Sequence, residues 1–229
     1  MKFDSDLRLV RLLQLVSPTL PVGAYSYSQG LESAVDAGVV RAVADAESWI
    51  GDMLEYAVVR MEAPLLLRLI DYWSARSYTD VVRWNDLFLA SRETAELRAE
   101  TIQMGYSLKR LLMEMEGRDE ETRAPLTRME EMAFPTAFAF AAARWQIPAQ
   151  PALVAYLWAW LENQVMAAIK IVPLGQTDGQ RILLKIGERL PAIAELAATI
   201  HDDDLGTFAP HLAILSSRHE TQYSRLFRS

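Results

Sequence analysis

The sequence contains no cysteine. That absence excludes a disulfide framework, a thiolate zinc site and a cysteine nucleophile, and it fits a reducing compartment. Histidine is scarce: His201, His211 and His219 are the only three, and all fall close to the C-terminal end. An imidazole-based site would have to assemble there. No run of lysine or arginine is long enough to track a phosphate backbone, and the net charge is −7, which argues against nucleic acid as a partner. The opening residues Met1–Asp6 lack the basic and apolar regions of a secretory leader, so the expected location is the cytoplasm.

Catalytic signatures are missing as well. The chain has no G-x-x-x-x-G-K-[ST] phosphate loop, no G-x-G-x-x-G, no G-x-S-x-G elbow and no H-E-x-x-H. No catalytic or metal-ligating residues are assigned, and no enzymatic activity is expected. Alternating apolar and polar stretches long enough to demand a sheet are also absent, as are internal repeats and low-complexity linkers.

What remains is helical spacing with helix punctuation, and the expectation is one all-α domain of about ten helices spanning residues 1–229. Helices are expected over Asp6–Val16, Gln29–Ala37, Asp45–Arg60, from Pro64, over Thr79–Leu89, Glu93–Glu116, Thr136–Trp145, Pro151–Val172, Thr177–Arg189 and from Pro191. Glu93–Glu116 is the clearest amphipathic segment, and Gly105 in its interior hints at a close helix crossing. Gly117–Ala124 reads as a charged connector, followed by a T-x-x-E capping box at Thr127 and Glu130. The tail from Phe208 to Ser229 has weak periodicity. The run Ala152–Val172 is long enough to cross a bilayer. Glu162, Asn163 and Gln164 at its centre oppose that, because each ionised group near mid-bilayer costs about 2.5–3.5 kcal/mol. A core helix explains the same pattern, so no membrane association is expected.

Three segments carry unusual chemistry. His201-Asp202-Asp203-Asp204 combines metal-binding residue types, but adjacent acids diverge on a regular backbone, and a solvated acidic turn is the preferred reading. Glu162, Asn163 and Gln164 in an apolar helix need hydrogen-bond partners, which suggests an internal polar network. Residues Leu15 to Glu32 combine two prolines and two glycines with two tyrosines and three serines. Such a segment either presents side chains to a partner at low entropic cost or packs as a helix connector. The residues alone leave both readings open.

The run from Leu12 to Glu32 resembles the signature segment of the urease accessory protein F family. The similarity continues through Glu96–Thr101 with Gln103–Gly105, Phe134–Phe138, Leu161–Gln164, Lys170, Val172–Gln180 and Ser216–Phe227, in the order expected. Ala24 departs from the pattern, since members commonly carry a second glycine there. The resemblance implies an all-α, dimeric protein that makes no bonds itself. It would bind the accessory protein called D or H and help recruit the nickel-carrying accessory GTPase G to apo-urease. No cofactor of its own is implied, and nickel would pass through the complex. The tail would become ordered against the D-type partner, with Arg218, His219, Glu220, Tyr223, Arg225, Phe227 and Arg228 as contacts. Pro21, Tyr25, Ser26, Gln29, Glu32 and Lys170 would face the GTPase. An alternative role is control of GTP hydrolysis through one of the tail arginines. A third is that Glu162, Asn163 and Gln164 line part of a nickel route.

Overall fold

The computed structural model describes residues 5–117 and 119–229, and no strand occurs among them. Of the N-terminal stretch read for a leader, Met1–Asp4 lie outside the described residues. Arg118, within the expected connector, does too. The chain runs through α1 (Ser5–Leu15), α2 (Leu31–Asp36), α3 (Val43–Met53), α4 (Ala63–Ser74), α5 (Tyr78–Ala90) and α6 (Ala95–Glu116). It continues through α7 (Glu120–Arg128), α8 (Phe134–Arg144), α9 (Ala149–Ile171), α10 (Gln176–Gly187), α11 (Leu190–Thr199) and α12 (Pro210–His219).

The centre of the fold is α8, which packs against both α4 and α6. Its sequence, FPTAFAFAAAR, is apolar on every side, and every residue from Pro135 to Ala142 is buried. A helix apolar all round belongs in the middle of a body, and its alanines let neighbours approach closely. Pro135 sits in its first turn, where a missing N–H is harmless, so it opens α8 and does not interrupt it.

The long apolar helix α9 passes the length test for a membrane span. It packs on α10, α11 and α4, with Leu153, Leu157, Leu161, Val165 and Ala168 fully buried. One apolar face is thus covered by protein, while Trp158 and Met166 stay exposed.

Gly105 is a close-packing position, as its place in the helix suggested, but what it meets is the connector ahead of α8 and not another helix. A Cβ there would lie 1.9 Å from the carbonyl oxygen of Met132, in the connector that enters α8. That connector is pinned from two sides. Asn85 accepts from the Ala133 N–H at 2.9 Å and donates to the Glu131 carbonyl at 3.0 Å, while Thr101 accepts from the Phe134 N–H at 3.0 Å.

Two expectations are corrected. The stretch read as a connector forms α7, capped by Asp119, which accepts from the Glu121 N–H at 3.2 Å. Thr127 lies near the end of that helix and donates to the Arg123 carbonyl, so it forms no capping box. Aspartate at the N-cap of a first turn rich in glutamate outweighs the later threonine. The tail, read as weakly periodic, contains α12. Its short apolar stripe, Leu212 and Leu215, is buried along with the polar Ser216 and His219, and that mixture hides the period.

Asp45 stands in the third position of α3 and accepts from the Arg41 and Ala42 N–H groups. Beyond α3 the backbone widens into π-helical geometry over Leu54–Glu62 before α4 begins. The acidic turn at Asp202–Asp204 closes onto α4, where Asp202 accepts from Arg68 at 2.6 Å.

Candidate partner-docking surface

The loop before α2 turns through two left-handed residues, Gln29 (φ 52°) and Gly30 (φ 79°). Gly30 is needed for both dihedral and space, since a Cβ there would meet Leu212 of α12 at 3.1 Å. This turn swings Glu32, in the first turn of α2, toward the C-terminal tail.

Glu32 is buried, and its carboxylate holds three groups of the tail. One oxygen accepts from the Leu226 N–H at 2.6 Å. The other accepts from the Phe227 N–H at 2.8 Å and lies 3.2 Å from His219 Nε2. On α6, Glu96 lies 2.6 Å from His219 Nδ1 and accepts from Arg225 at 2.7 Å. One turn later Glu100 accepts from the Gln29 amide at 2.7 Å and the Ser229 hydroxyl at 2.6 Å. Gln103 follows, accepting from the Tyr27 hydroxyl at 2.7 Å. The spacing 96, 100, 103 puts all three side chains on one face of the helix.

Residues 219–229 therefore form a strap clamped between the 23–32 loop and α6. The Ser229 carbonyl accepts from both the N–H and the hydroxyl of Ser28, and the Arg228 N–H donates to Ser26. The ammonium of Lys170 lies 5.4 Å above the Phe227 ring. Residues far apart in sequence (the loop, Lys170 and the tail) thus meet in one corner of the molecule.

The expected contact residues divide into two groups there. His219 is fully buried and Phe227 nearly so, while Arg225 is tied to Glu96. These three, with Gln29 and Glu32, hold the protein's own strap in place. Glu220 caps α6 by accepting from the Ala95 N–H at 2.9 Å. Pro21, Tyr25, Arg218, Tyr223, Arg228 and Lys170 face outward, and Tyr223 is fully exposed at 105%. The strap thus packs against the protein's own body.

Glu162, Asn163 and Gln164 do not form one network. Successive residues on a helix point about 100° apart, and their environments differ accordingly. Asn163 donates to the Tyr27 carbonyl at 3.1 Å, whereas the buried amide nitrogen of Gln164 has no protein partner. Burial raises the carboxyl of Glu162 above its usual range. Among the described residues no group of three or more histidine, aspartate or glutamate side chains could hold a metal ion.

Sequence reasoning gave no separate role to Glu96, Glu100 or Gln103. A signal existed: Glu100 falls in the buried stripe of α6 alongside Leu97, Thr101, Met104 and Leu108. A carboxylate in an apolar stripe requires donors, and the strap supplies them.

A family model described as UreF matches residues 40–187. The urease accessory protein UreF of Azoarcus sp. (strain BH72) is 58% identical over 225 residues, covering 97% of this chain and 96% of that protein. The chain belongs to the UreF family. The UreF of Dechloromonas aromatica (strain RCB) is 53% identical, covering 97% of this chain and 98% of its own. The UreF of Janthinobacterium sp. (strain Marseille) is 48% identical over 221 residues. The matched UreF region begins inside the loop-to-α3 connection and ends with α10, so the strap and its loop lie outside it. These relatives extend the similarity to 96–97% of the chain.

Glu100 has a pH consequence. Burial pushes its carboxyl up to about 7 against the lowering effect of its bonds from Ser229 and Gln29. Between the ordinary value of 4.5 and about 7 the folded protein holds a proton that the unfolded chain has released. Stability from this group is therefore lost as pH rises through that window, by about 3 kcal/mol in all. Urea unfolding across pH 4.5–7.5 will show a steeper decline for the native chain than for Glu100→Gln, which carries no titrating group there.

Proposed function

We propose that this protein is a non-catalytic urease maturation factor, a scaffold that joins partners and works in the cytoplasm. It binds the D- or H-type accessory protein through the strap and α12. The resulting complex recruits the nickel-carrying accessory GTPase, with Tyr25, Pro21 and Lys170 near the contact, and delivers nickel to apo-urease. The working unit is a homodimer, and nickel passes through the assembly without a resident cofactor in this chain.

Membership of the UreF family supports the maturation role. The observation that carries the docking reading is Tyr223, fully exposed on an otherwise tightly held strap, with Leu226 at 63% and Tyr25 at 67% exposure. Tyrosine and arginine dominate binding hot spots because they offer large contact area together with polar tips. A rigid strap presents them with little further ordering cost on association. The arginine-finger alternative is weakened for Arg225, whose guanidinium is bound to Glu96 at 2.7 Å.

The test is co-purification with the D-type and G-type accessory proteins, comparing the full chain with one ending at Glu220. Ending there keeps α12 with the buried Ser216 and His219 and removes strap residues 221–229. The full chain is expected to form the complex and the shortened chain to fail. Equal capture of both partners by the two versions would sink the docking reading.

A further inference from the structure

A cavity of about 440 Å³ lies behind the 15–25 loop, between α6, α8 and α9. Its walls are mostly apolar, with Leu97, Met104, Phe134 and Phe138 among them. Its charged and ionisable lining side chains include Glu62, Arg92, Glu100, Tyr156, Glu162 and Lys170. That combination, a large apolar volume with a small number of convergent polar groups, is the usual form of a small-molecule site.

The most buried carboxylates in this cavity are already engaged. Glu62 accepts from the Tyr156 hydroxyl, and both oxygens of Glu100 accept from Gln29 and Ser229. Trp160 donates to Gln29 and Asn163 donates to Tyr27, while the Asn163 amide oxygen and the carboxyl of Glu162 accept no hydrogen bond from the described residues. The donors are different. The guanidinium of Arg92, 12% exposed, has its nearest carboxylate oxygen, on Glu62, at 3.8 Å. Its buried Nε has no protein partner, and its plane lies 4.3 Å over the Phe88 ring. Lys170 contacts only the face of Phe227. The unused capacity of the buried side chains is thus the donor capacity of Arg92, alongside the less buried Lys170, Glu162 and amide oxygen of Asn163.

We propose that this cavity binds a small amphipathic monoanion, a carboxylate with an apolar body, whose head meets Arg92 and whose body lies along Leu97, Met104 and Phe134. A guanidinium presents planar donors that match a carboxylate, and a partly desolvated site strengthens the contact. With Glu100 raised to about 7 by burial, the second acid of the cavity is largely neutral in mildly acid solution, which reduces its repulsion of an incoming anion. The proposal does not rest on the docking reading, although Tyr25, Gln29, Glu100 and Lys170 belong to both regions.

The probes are sodium decanoate and decylammonium chloride, titrated calorimetrically into the full chain at pH 6.5. One saturable site is expected, with decanoate bound at least about tenfold more tightly than the ammonium, the value of a charge-assisted hydrogen bond. The double variant Glu62→Gln/Arg92→Leu removes both members of the buried pair, so it strands neither charge. It is expected to lose the preference for the carboxylate. Met104→Trp, which fills the cavity without touching the polar groups, is expected to bind neither probe. Absence of saturable binding to the native chain, or equal affinity for the two head groups, overturns the proposal without recourse to any variant. Retention of the carboxylate preference by a folded double variant overturns the role of Arg92.

Discussion

A Glu32→Ala variant releases the strap while the helical body keeps its far-ultraviolet circular dichroism. Glu32 accepts from two backbone N–H groups of the strap and stands against the buried imidazole of His219. Without the carboxylate, the buried Phe227 N–H and the partly buried Leu226 N–H lose their acceptor as long as the strap remains closed. Each such group costs about 1–3 kcal/mol, so opening is favoured by roughly 100-fold over the native chain. Hydrogen exchange at the Leu226 and Phe227 amides reads this directly, because local opening sets their rate. Glu32→Gln keeps one acceptor and should fall between the two. Unchanged exchange in the alanine variant would mean that the strap is held chiefly by Phe227 packing and the Ser28–Ser229 contact.

Gly105→Ala has the second large effect, on the stability of the whole fold. Alanine normally favours a helix interior over glycine by up to about 1 kcal/mol. Here its Cβ would overlap backbone atoms of Met132 and Ala133. Asn85 and Thr101 hold that connector by three hydrogen bonds, so it cannot withdraw without losing them. Overpacking against fixed backbone costs at least about 2 kcal/mol, which lowers the thermal midpoint by roughly 4–8 °C. Gly51, in α3, is the counter-case. A Cβ there meets only the mobile end of Arg189 at 3.9 Å, so Gly51→Ala should stabilise. Opposite signs at the two positions, measured by scanning calorimetry, separate steric conflict from helix propensity.

Helices whose apolar residues recur cleanly were legible in the sequence, and their ends moved by only a few residues. The segment expected over Glu93–Glu116 is α6, starting at Ala95 behind a Thr94 cap that accepts from the Leu97 N–H. Gly105 was readable as a close-packing position because a glycine inside an amphipathic helix has a cost that packing must offset. The misreadings have local causes. Asp119 caps α7 in a run so charged that no apolar period shows through it. In α12, serine and histidine occupy core positions because partners on other elements satisfy them, Thr94 for Ser216 and two glutamates for His219. Pairings of this kind link residues more than 100 positions apart, and no local pattern encodes them.

The same reason limits what the sequence revealed of the docking surface. The residue types of the loop and tail pointed to partner contacts, and both segments do meet at one corner. The division of labour between them was hidden. Phe227 resembles an outward anchor by type but is buried, and Arg225, though exposed, is tied to Glu96. Tyr223 and Tyr25 remain outside because nothing on the body competes for them.

The central claim is that an exposed strap, rather than any catalytic group of this chain, gives the protein its part in urease maturation. Its most direct test is nickel-dependent activation of apo-urease reconstituted with the D-type and G-type accessory proteins, adding either the full chain or the chain ending at Glu220. The predicted result is activation with the full chain and near-background activity with the shortened one, both folded by circular dichroism. Full activation by the shortened chain would contradict the account.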